Sequence, residues 1–404
     1  MALNELGREK SKHDGRFVSR FLRLFPRSYS RTILSAALLP APVETGLLQR
    51  TCNISSEELK WLIDRNVLTT WVTGDGCLVR AHSLFATIDL EDDEVRSAVA
   101  GLKKEWINIF CGLCEEAGHR NFTKYYLLDR ELKNIAKAIE WSAELEPERA
   151  IQMLLTLDDF LYIRGEYQLR YELGMSLLPI AKERGMFEAE GELLLNPIGE
   201  SLWHLQAGAK AALEEFRQAR EAFRQGGSDE GEGWALYYSG RVLRSMNEPK
   251  EAEGCLLEAL QRSGENDRLH AFILNSLGNL ERTRGEVAKA EEFYLESLHI
   301  WEGKADKEMI AVVKRNLGFL AKQSLDFGRA EALFKDALVL HEELNQVVES
   351  GEIHQALGEL AIESHDIAVA KQHLSQARER YLSSGSALML LRLVDTMSKL
   401  ASHL

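Results

Sequence analysis

The stretch LGNLERTRGEVAKAEEFYLES, residues 277–297, contains the pattern that decides the fold. The same pattern returns as LGFLAKQSLDFGRAEALFKDA at 317–337 and as LGELAIESHDIAVAKQHLSQA at 357–377. Each copy has a Leu-Gly pair, an alanine twelve residues after the glycine, a larger apolar residue four positions later, and a small residue three positions after that. A pattern that recurs at a fixed spacing predicts a stack of similar structural units.

Two more copies lie upstream, and together the copies predict pairs of closely packed antiparallel helices. The repeat glycines lie 41, 38, 40 and 40 residues apart, at Gly199, Gly240, Gly278, Gly318 and Gly358. In the first copy the alanine is shifted by one position, to Ala212. Glycine and alanine at a helix crossing allow two backbones to approach, and the larger side chain fills the space toward the next hairpin.

These copies resemble the tetratricopeptide repeat in their Leu-Gly pair, their Ala-x3-aromatic spacing and their second small residue. The period of about 40 exceeds the usual ~34 residues, so each helix is expected to be longer by about one turn. The resemblance implies an all-α fold, a right-handed superhelix of helical hairpins over 147–404. We expect a more degenerate first hairpin at 148–184 and a C-terminal capping helix at 387–404.

In that family the ligand-facing positions lie on the first helix of each hairpin, three residues before the glycine and one and four residues after it. Carried over by position, the candidate ligand-binding residues are Trp203, Tyr237, Arg241, Arg244, Asn275, Asn279, Arg282, Arg315, Phe319 and Lys322, with Asn196, Glu200, Gln355 and Glu359 at the two ends of the row.

The five cations in this set are notable because the chain has a formal charge of −14. Arginine forms forked, charge-assisted hydrogen bonds with carboxylate or phosphate, and asparagine amides bond the backbone of an extended peptide. We therefore favour a groove that binds a protein, a peptide or a small signalling ligand. The alternative is that these cations are only solvated, or pair with carboxylates of adjacent helices.

Residues 31–95 predict a smaller domain of another kind. Helices are expected in RTILSAALLPAP, ETGLLQRTCN and SSEELKWLIDRN, the last with a serine cap. VLTTWVTGDGCLVRAH follows, and its β-branched and aromatic residues flank a Gly-Asp-Gly turn, which predicts a hairpin. Three helices followed by a hairpin predict a small winged-helix domain that precedes the repeats. Its third helix offers a poor set for phosphate contact, which favours protein packing over DNA reading, namely Glu57, Glu58, Lys60, Asp64 and Arg65.

A second resemblance concerns the helical linker expected at 96–146. The motif D-x-E-x-x-N-x-x-x-A-I-x-W occurs there as Asp129, Glu131, Asn134, Ala138, Ile139 and Trp141. With a winged helix before it and repeats of about 40 residues after it, this region is similar to the C-terminal part of the signal-transduction ATPases with numerous domains (NB-ARC-like and bacterial repeat-containing regulators).

That resemblance implies one nucleotide contact and a missing motor. In the family a Met-His-Asp triplet contacts bound ADP, and the matching residues here are Ala81, His82 and Ser83, so His82 is the candidate contact. The alternative is a packed histidine. The sequence has no G-x-x-x-x-G-K-[ST] loop, so we expect that the nucleotide-binding domain is lacking. Either the chain is the sensor half of a longer or split protein, with an ATPase domain or partner in trans, or it is a relative that has lost the motor.

The composition of the chain argues against several classes of function. The acidic charge argues against a general nucleic-acid coat, although the arm 1–30 is mainly basic and is either a solvated arm or a surface for an anionic partner. The chain has no apolar run of about 20 residues, so no membrane contact is expected. Five scattered cysteines suit reduced thiols in the cytoplasm. A zinc site at Cys111/Cys114 needs two more ligands, for which only His119 or His82 is a candidate, so we favour buried thiols packed in a core.

These observations predict a protein without catalytic residues, metal or cofactor. Neither G-x-S-x-G nor H-E-x-x-H occurs in the sequence. The expected function is a non-catalytic sensor or interaction module whose groove binds a partner and relays the event to the winged helix or to an ATPase. The alternative is a ligand-responsive transcription regulator that binds DNA through the winged helix and the basic arm.

Overall fold

The computed structural model describes residues 22, 25–65, 67–73, 76–81, 93–118, 122–205, 208–264, 266–384 and 386–402. The chain divides into two compact units, Met1–Gly208 (unit 1) and Ala209–Leu404 (unit 2). Among the described residues the regular secondary structure is helical except for one small sheet in unit 1, and the fold is all-α with helical repeats.

Unit 1 opens with short helices and a three-stranded antiparallel sheet of order β1-β3-β2. In chain order the elements are α1 (Arg27–Leu38), β1 (Val43–Glu44), α2 (Thr45–Cys52), α3 (Ser56–Asp64), β2 (Leu68–Thr73) and β3 (Gly76–Ala81). Ser55 and Glu58 form a capping box that starts α3. The short strand β1, which pairs Val43 with Val79, was not expected from the sequence.

The rest of unit 1 is a series of helices. They are α4 (Asp93–Ala117), a 3₁₀ turn (Phe122–Lys124), α5 (Tyr125–Leu145), α6 (Pro147–Ile163), α7 (Tyr167–Glu183), α8 (Phe187–Leu193), a π-helical segment (Leu194–Glu200) and α9 (Ser201–His204). The π segment contains Pro197, whose ring removes a helical hydrogen bond. It packs against Gly174, where an added Cβ would come within 3.0 Å of the Pro197 Cβ.

Unit 2 is a stack of antiparallel helical hairpins. Its helices are α10 (Gly208–Gly226), α11 (Asp229–Ser245), α12 (Pro249–Arg262), α13 (Asp267–Arg284), α14 (Val287–Gly303), α15 (Lys307–Gln323), α16 (Phe327–Glu343), α17 (Val347–Glu363), α18 (Ile367–Ser383) and α19 (Ala387–Ser402). The hairpins are α11–α12, α13–α14, α15–α16 and α17–α18, and we call the earlier helix of each pair its first helix.

The repeated small and large residues make the contact between the two helices of a hairpin. A Cβ placed on Gly278 would lie 2.6 Å from the ring of Tyr294, and one on Gly318 would lie 2.7 Å from the ring of Phe334. The Tyr294 ring also belongs to the same core cluster as Leu317 of the next hairpin. The large side chain therefore covers the glycine of its own hairpin and also fills the space toward the next one.

Each hairpin turn needs one residue in the left-handed region. Gly285 supplies it in one turn with φ 83°, whereas Leu325 and His365 adopt φ 62° and 60° despite their side chains. Asp326 and Asp366 then cap the second helices, accepting hydrogen bonds from the backbone N–H of Arg329 and Val369 at 3.1 Å. Glycine is therefore not required at this turn position.

Candidate binding surface on the first helices of the repeats

Nine of the ten candidate residues lie on α11, α13 and α15, and contacts join these helices side by side. The Asn316 amide donates to Asn275 Oδ1 at 2.8 Å, between α15 and α13. The rings of Tyr237 and Phe272 have centroids 5.8 Å apart, between α11 and α13. We call the surface that these three helices and α17 share the first-helix surface.

Aromatic rings form one end of this surface. Tyr237 is buried, and its ring packs against Tyr238 at 5.2 Å and against Trp234 at 5.7 Å between centroids. The guanidinium of Arg241 lies 5.5 Å from the centroids of both tyrosine rings. This is cation–π geometry, which holds the arginine in place while leaving its charge intact.

The two asparagines bond to the protein itself. Asn275 is buried and accepts from Asn316, while Asn279 Nδ2 donates to the backbone oxygen of Asn275 at 3.0 Å. The Tyr294 hydroxyl donates to Asn279 Oδ1 at 3.0 Å. These amides therefore support the surface, rather than offering the free donors and acceptors that the sequence alone suggested for peptide backbone.

Three arginines, Arg241, Arg244 and Arg282, form what we call the arginine cluster. Burial lowers the pKa of the Arg244 guanidinium, and the positive charges of Arg241 and Arg282 lower it further. Arg282 Nε is buried and has no hydrogen-bond partner among the described residues. Within the described part of the chain, no carboxylate forms an ion pair with Arg244 or Arg282.

Tyr294 completes the arginine cluster from the second helix of its hairpin. Burial raises the pKa of the Tyr294 hydroxyl, while the charge of Arg282, a hydrogen bond with Arg282, and the charges of Arg244 and Arg315 act in the opposite direction. The repeat pattern marks this position as large and apolar, and only its hydroxyl distinguishes Tyr294 from Phe334. That hydroxyl is the signal by which the sequence could have assigned Tyr294 to the site.

The remaining two cations are paired and form what we call the ion-pair ladder. Arg315 Nη1 lies 2.7 Å from Glu352, and Lys322 Nζ lies 3.2 Å from Glu359 and 3.1 Å from Glu363. All three carboxylates belong to α17, the first helix of the next hairpin. The pairing alternative weighed from the sequence therefore describes Arg315 and Lys322, but not Arg244 and Arg282.

The other candidates stand apart from the arginine cluster. Phe319 is half-buried, and its ring meets Phe334 edge-on with centroids 5.1 Å apart. Trp203 belongs to unit 1, where it is half-buried with its ring 6.1 Å from that of His204. His82 lies outside the described residues.

The linker motif has a structural role in unit 1. Glu131 and Asn134 are fully buried on α5, where they accept hydrogen bonds from the backbone N–H of Glu44 at 3.2 Å and of Ala41 at 3.0 Å. Asp129 receives a two-pronged hydrogen bond from Arg164 at 2.8 and 2.6 Å. Two of the motif's polar residues thus bind the segment that enters β1, and the third ties α5 to the end of α6.

A buried charge group in unit 1 was missed by sequence reasoning. Arg170 is 1% exposed and donates to Asp158 at 2.7 and 2.5 Å and to Glu200 at 3.1 Å. Its third nitrogen, Nη1, has no partner among the described residues. The three residues come from α6, α7 and the π segment, so no local spacing identifies them.

Neither a metal cluster nor a membrane-spanning helix occurs in the described parts of the chain. Groups of three or more His, Cys, Asp or Glu side chains able to hold a metal are absent there. The described helices are all too short or too polar to cross a bilayer.

Comparisons with known proteins agree with the repeat fold. The family model described as "Tetratricopeptide repeat" matches residues 273–303, which include Asn275, Asn279, Arg282 and Tyr294. The transcription activator GutR of Bacillus subtilis (strain 168) is 23% identical over 235 residues, which are 55% of this chain and 28% of GutR. The chain therefore spans little more than a quarter of the length of that curated relative.

Two solved structures are similar to this chain at low sequence identity. The apo form of RapI is 15% identical with a TM-score of 0.52, over 66% of this chain and 98% of RapI. A signal-transduction ATPase with numerous domains and a tetratricopeptide repeat sensor, from Pyrococcus horikoshii, is 11% identical with a TM-score of 0.48, over 98% of this chain and 62% of that one. The likeness to RapI concerns the fold alone.

Proposed function

We propose that this protein is a non-catalytic sensor or interaction module, and that the first-helix surface of unit 2 binds a protein or peptide partner through an anionic group. The observation that carries the proposal is the arginine cluster, in which Arg244 and Arg282 lack a carboxylate partner among the described residues. Like charges held together on an acidic chain are unfavourable by themselves, and an anionic ligand removes that cost.

The surroundings of the arginine cluster suit a peptide. Arginine binds carboxylate in a forked arrangement, and the aromatic rings around Tyr237 offer an apolar wall beside the charge. The partner group is therefore a carboxylate at a peptide C-terminus or on acidic side chains. A small anionic signalling ligand satisfies the same chemistry, and a peptide experiment separates the two.

A peptide array tests this proposal directly. The intact chain is applied to short immobilised peptides graded in net charge, each made with a free and an amidated C-terminus. We expect retention to rise with negative charge and to fall roughly 10–100-fold in the variant Arg244→Gln/Arg282→Gln, which loses two charge-assisted contacts. The control variant Arg329→Gln/Lys335→Gln changes two cations of the second helix α16 and should bind as the parent does. Equal retention by cluster variant and parent contradicts the proposal.

We further propose the domain organisation that the sequence indicated. A basic arm occupies 1–30, a winged-helix domain 31–95, a helical linker 96–146 and the repeat solenoid 147–404. The element order from α1 to β3 and the pairing of β1, β2 and β3 support the winged helix. Glu131 and Asn134 bind its backbone from the linker, which provides a physical connection for a relay within unit 1 or toward an ATPase partner.

A second candidate function is transcription regulation, favoured by the similarity to GutR. It requires the winged helix to contact DNA, yet α3 exposes Glu57 and Asp64 beside Lys60 and Arg65. A fluorescence-anisotropy titration of duplex DNA at several salt concentrations decides between the two. Binding that weakens steeply with salt and is lost on Lys60→Glu/Arg65→Glu supports regulation, whereas no binding at low salt contradicts it.

A further inference from the structure

The two cations of the ion-pair ladder differ in how firmly their charges are balanced. Lys322 lies between two carboxylates, Glu359 at 3.2 Å and Glu363 at 3.1 Å. Arg315 has a single carboxylate partner among the described residues, Glu352, and bonds it through one nitrogen, Nη1, at 2.7 Å. A one-point ion pair of this kind is weaker than the forked contact that a guanidinium can form with a carboxylate.

Both members of the Arg315–Glu352 pair are partly open to solvent. The Arg315 side chain is 21% exposed and the Glu352 side chain is 31% exposed, so an incoming carboxylate can approach the guanidinium without unfolding a helix. Ion pairs between partly exposed side chains add little to stability, because water solvates the separated charges well. Exchanging Glu352 for another carboxylate therefore costs little.

Arg315 belongs to the helix that lies beside the arginine cluster. Two contacts hold α15 along α13 over the length of the first-helix surface. The Asn316 amide donates to Asn275 Oδ1 at 2.8 Å, and Gln323 Nε2 donates to the backbone oxygen of Arg282 at 3.2 Å. Arg315 is thus presented on the same surface as Arg282, one helix further along the stack.

The charge of Arg315 also acts at the arginine cluster itself. Burial raises the pKa of the Tyr294 hydroxyl, which hydrogen-bonds with Arg282, and the charge of Arg315 is among those that oppose this rise. Since neighbouring packed helices lie about 8–10 Å apart, Arg315 lies on the order of 10 Å from the cluster. An extended peptide covers that distance in about three residues, at roughly 3.3 Å per residue.

We propose that the partner peptide carries two carboxylates about three residues apart, and that the second one displaces Glu352 from Arg315. The first carboxylate binds the arginine cluster, so this inference rests on the function proposed above. Glu352 acts as an internal competitor that occupies Arg315 until the ligand binds. Binding then breaks one of the ion pairs between α15 and α17, which carries the binding event to the hairpin α17–α18.

Fluorescence-anisotropy titrations of the intact chain with labelled peptides of equal length test the spacing. Every peptide ends in a free carboxylate and has one glutamate placed one, three, five or seven residues before the C-terminus. A reference peptide has glutamine at these positions. We expect affinity to peak near the three-residue spacing, roughly three- to tenfold above the reference peptide. Equal affinity at every spacing overturns the second contact.

A thermodynamic cycle tests the internal competitor. Glu352→Gln should bind the three-residue peptide roughly two- to fivefold more tightly than the parent, because Arg315 is no longer occupied. Arg315→Gln should bind that peptide only as well as the reference peptide, and adding Glu352→Gln in that background should change nothing. The control Glu343→Gln removes the same charge from α16, where Glu343 pairs with Lys307 at 2.9 Å, and should bind as the parent does.

A conservative variant guards against a loss of folding. Arg315→Lys keeps the charge without the planar fork, so its affinity should lie between those of the parent and Arg315→Gln, with helicity checked by circular dichroism. Glu352→Gln binding no more tightly than the Glu343→Gln control overturns the competitor. If the cluster variant Arg244→Gln/Arg282→Gln binds every peptide as the parent does, the proposed function itself fails, and this inference fails with it.

Discussion

The arginine cluster and the ion-pair ladder share one repeat position, yet the surroundings of that position differ between them. Arg282 and Lys322 both lie four residues after a repeat glycine. Lys322 is bound by Glu359 and Glu363, whereas Arg282 Nε is buried without a partner among the described residues. The same sequence signal thus leads to a neutralised cation in one place and, in the other, to a cation without a carboxylate partner among the described residues.

The cause lies one repeat further along the chain. Lys322 meets Glu359, the residue directly after the glycine of the next hairpin. For Arg282 the equivalent neighbour is Phe319, and for Arg244 it is Asn279. A carboxylate at that position supplies a counter-ion within the protein, and a phenylalanine or an amide does not. Whether a cation of the first helices is neutralised within the protein is therefore set by the next repeat rather than by its own.

The largest expected effect comes from breaking the helix contact beneath the arginine cluster. Gly278→Ala places a methyl group 2.6 Å from the Tyr294 ring and should lower the free energy of unfolding by about 2–3 kcal/mol. Urea denaturation measures it. Gly254→Ala on α12 is the matched control, because nothing lies within 4 Å of its Cβ, so that change should stabilise the helix slightly. Equal stability of the two variants would contradict the packing described for Tyr294.

The second-largest expected effect is a loss of folding stability at low pH. It should arise on α17, the helix that supplies the carboxylates of the ion-pair ladder, where a histidine stands in place of an apolar residue. His354 is buried on α17, and burial, with Arg380 and His373 adding to it, lowers its pKa to about 4. At the same repeat position α13 has Leu274. The helix α13, which carries Arg282 of the arginine cluster, therefore lacks this source of acid sensitivity.

The sign follows from proton uptake on unfolding. The unfolded histidine has a pKa of about 6.5, so as pH falls below that value the unfolded state binds the proton first and stability is lost. Between pH 7 and 4.5 the loss should be about 2 kcal/mol. His354→Leu should reduce this loss, as measured by urea midpoints at both pH values. An unchanged pH dependence in the variant would show that His354 is not its source.

The smallest expected effect is the change in folding stability when a cation of either group is replaced by a neutral side chain. Lys322→Gln removes a partly exposed cation from two carboxylates and should cost about 0.5–1 kcal/mol. Arg244→Gln relieves repulsion from Arg241 and Arg282 and should be neutral or stabilising. Melting temperatures in low and high salt provide the measurement. Salt should reduce both the stability lost in Lys322→Gln and any stability gained in Arg244→Gln, because it screens charge interactions. An equal loss of stability in both variants would contradict the difference drawn here between the ion-pair ladder and the arginine cluster.

Much of unit 2 could be predicted because its signals are local and periodic. Gly278, Ala290 and Tyr294 pack as their spacing indicated, since a hairpin places residues about 16 positions apart in direct contact. The strand Val43–Glu44 could not be predicted from the sequence, because two residues are too few to show the alternation of a strand. The group of Arg170, Asp158 and Glu200 was also missed, because its members lie 12 and 30 residues apart on different helices.

The sequence by itself determined the stack of hairpins, the positions of the first helices and the row of cations along them. These follow from small and large residues repeated at a fixed period, whose packing consequence is the same in every copy. Only the tertiary structure decided which cations are neutralised, because their counter-ions come from a neighbouring helix 37 residues away, at Glu352 and Glu359. Coulomb energy depends on distance in space, which the order of residues does not specify.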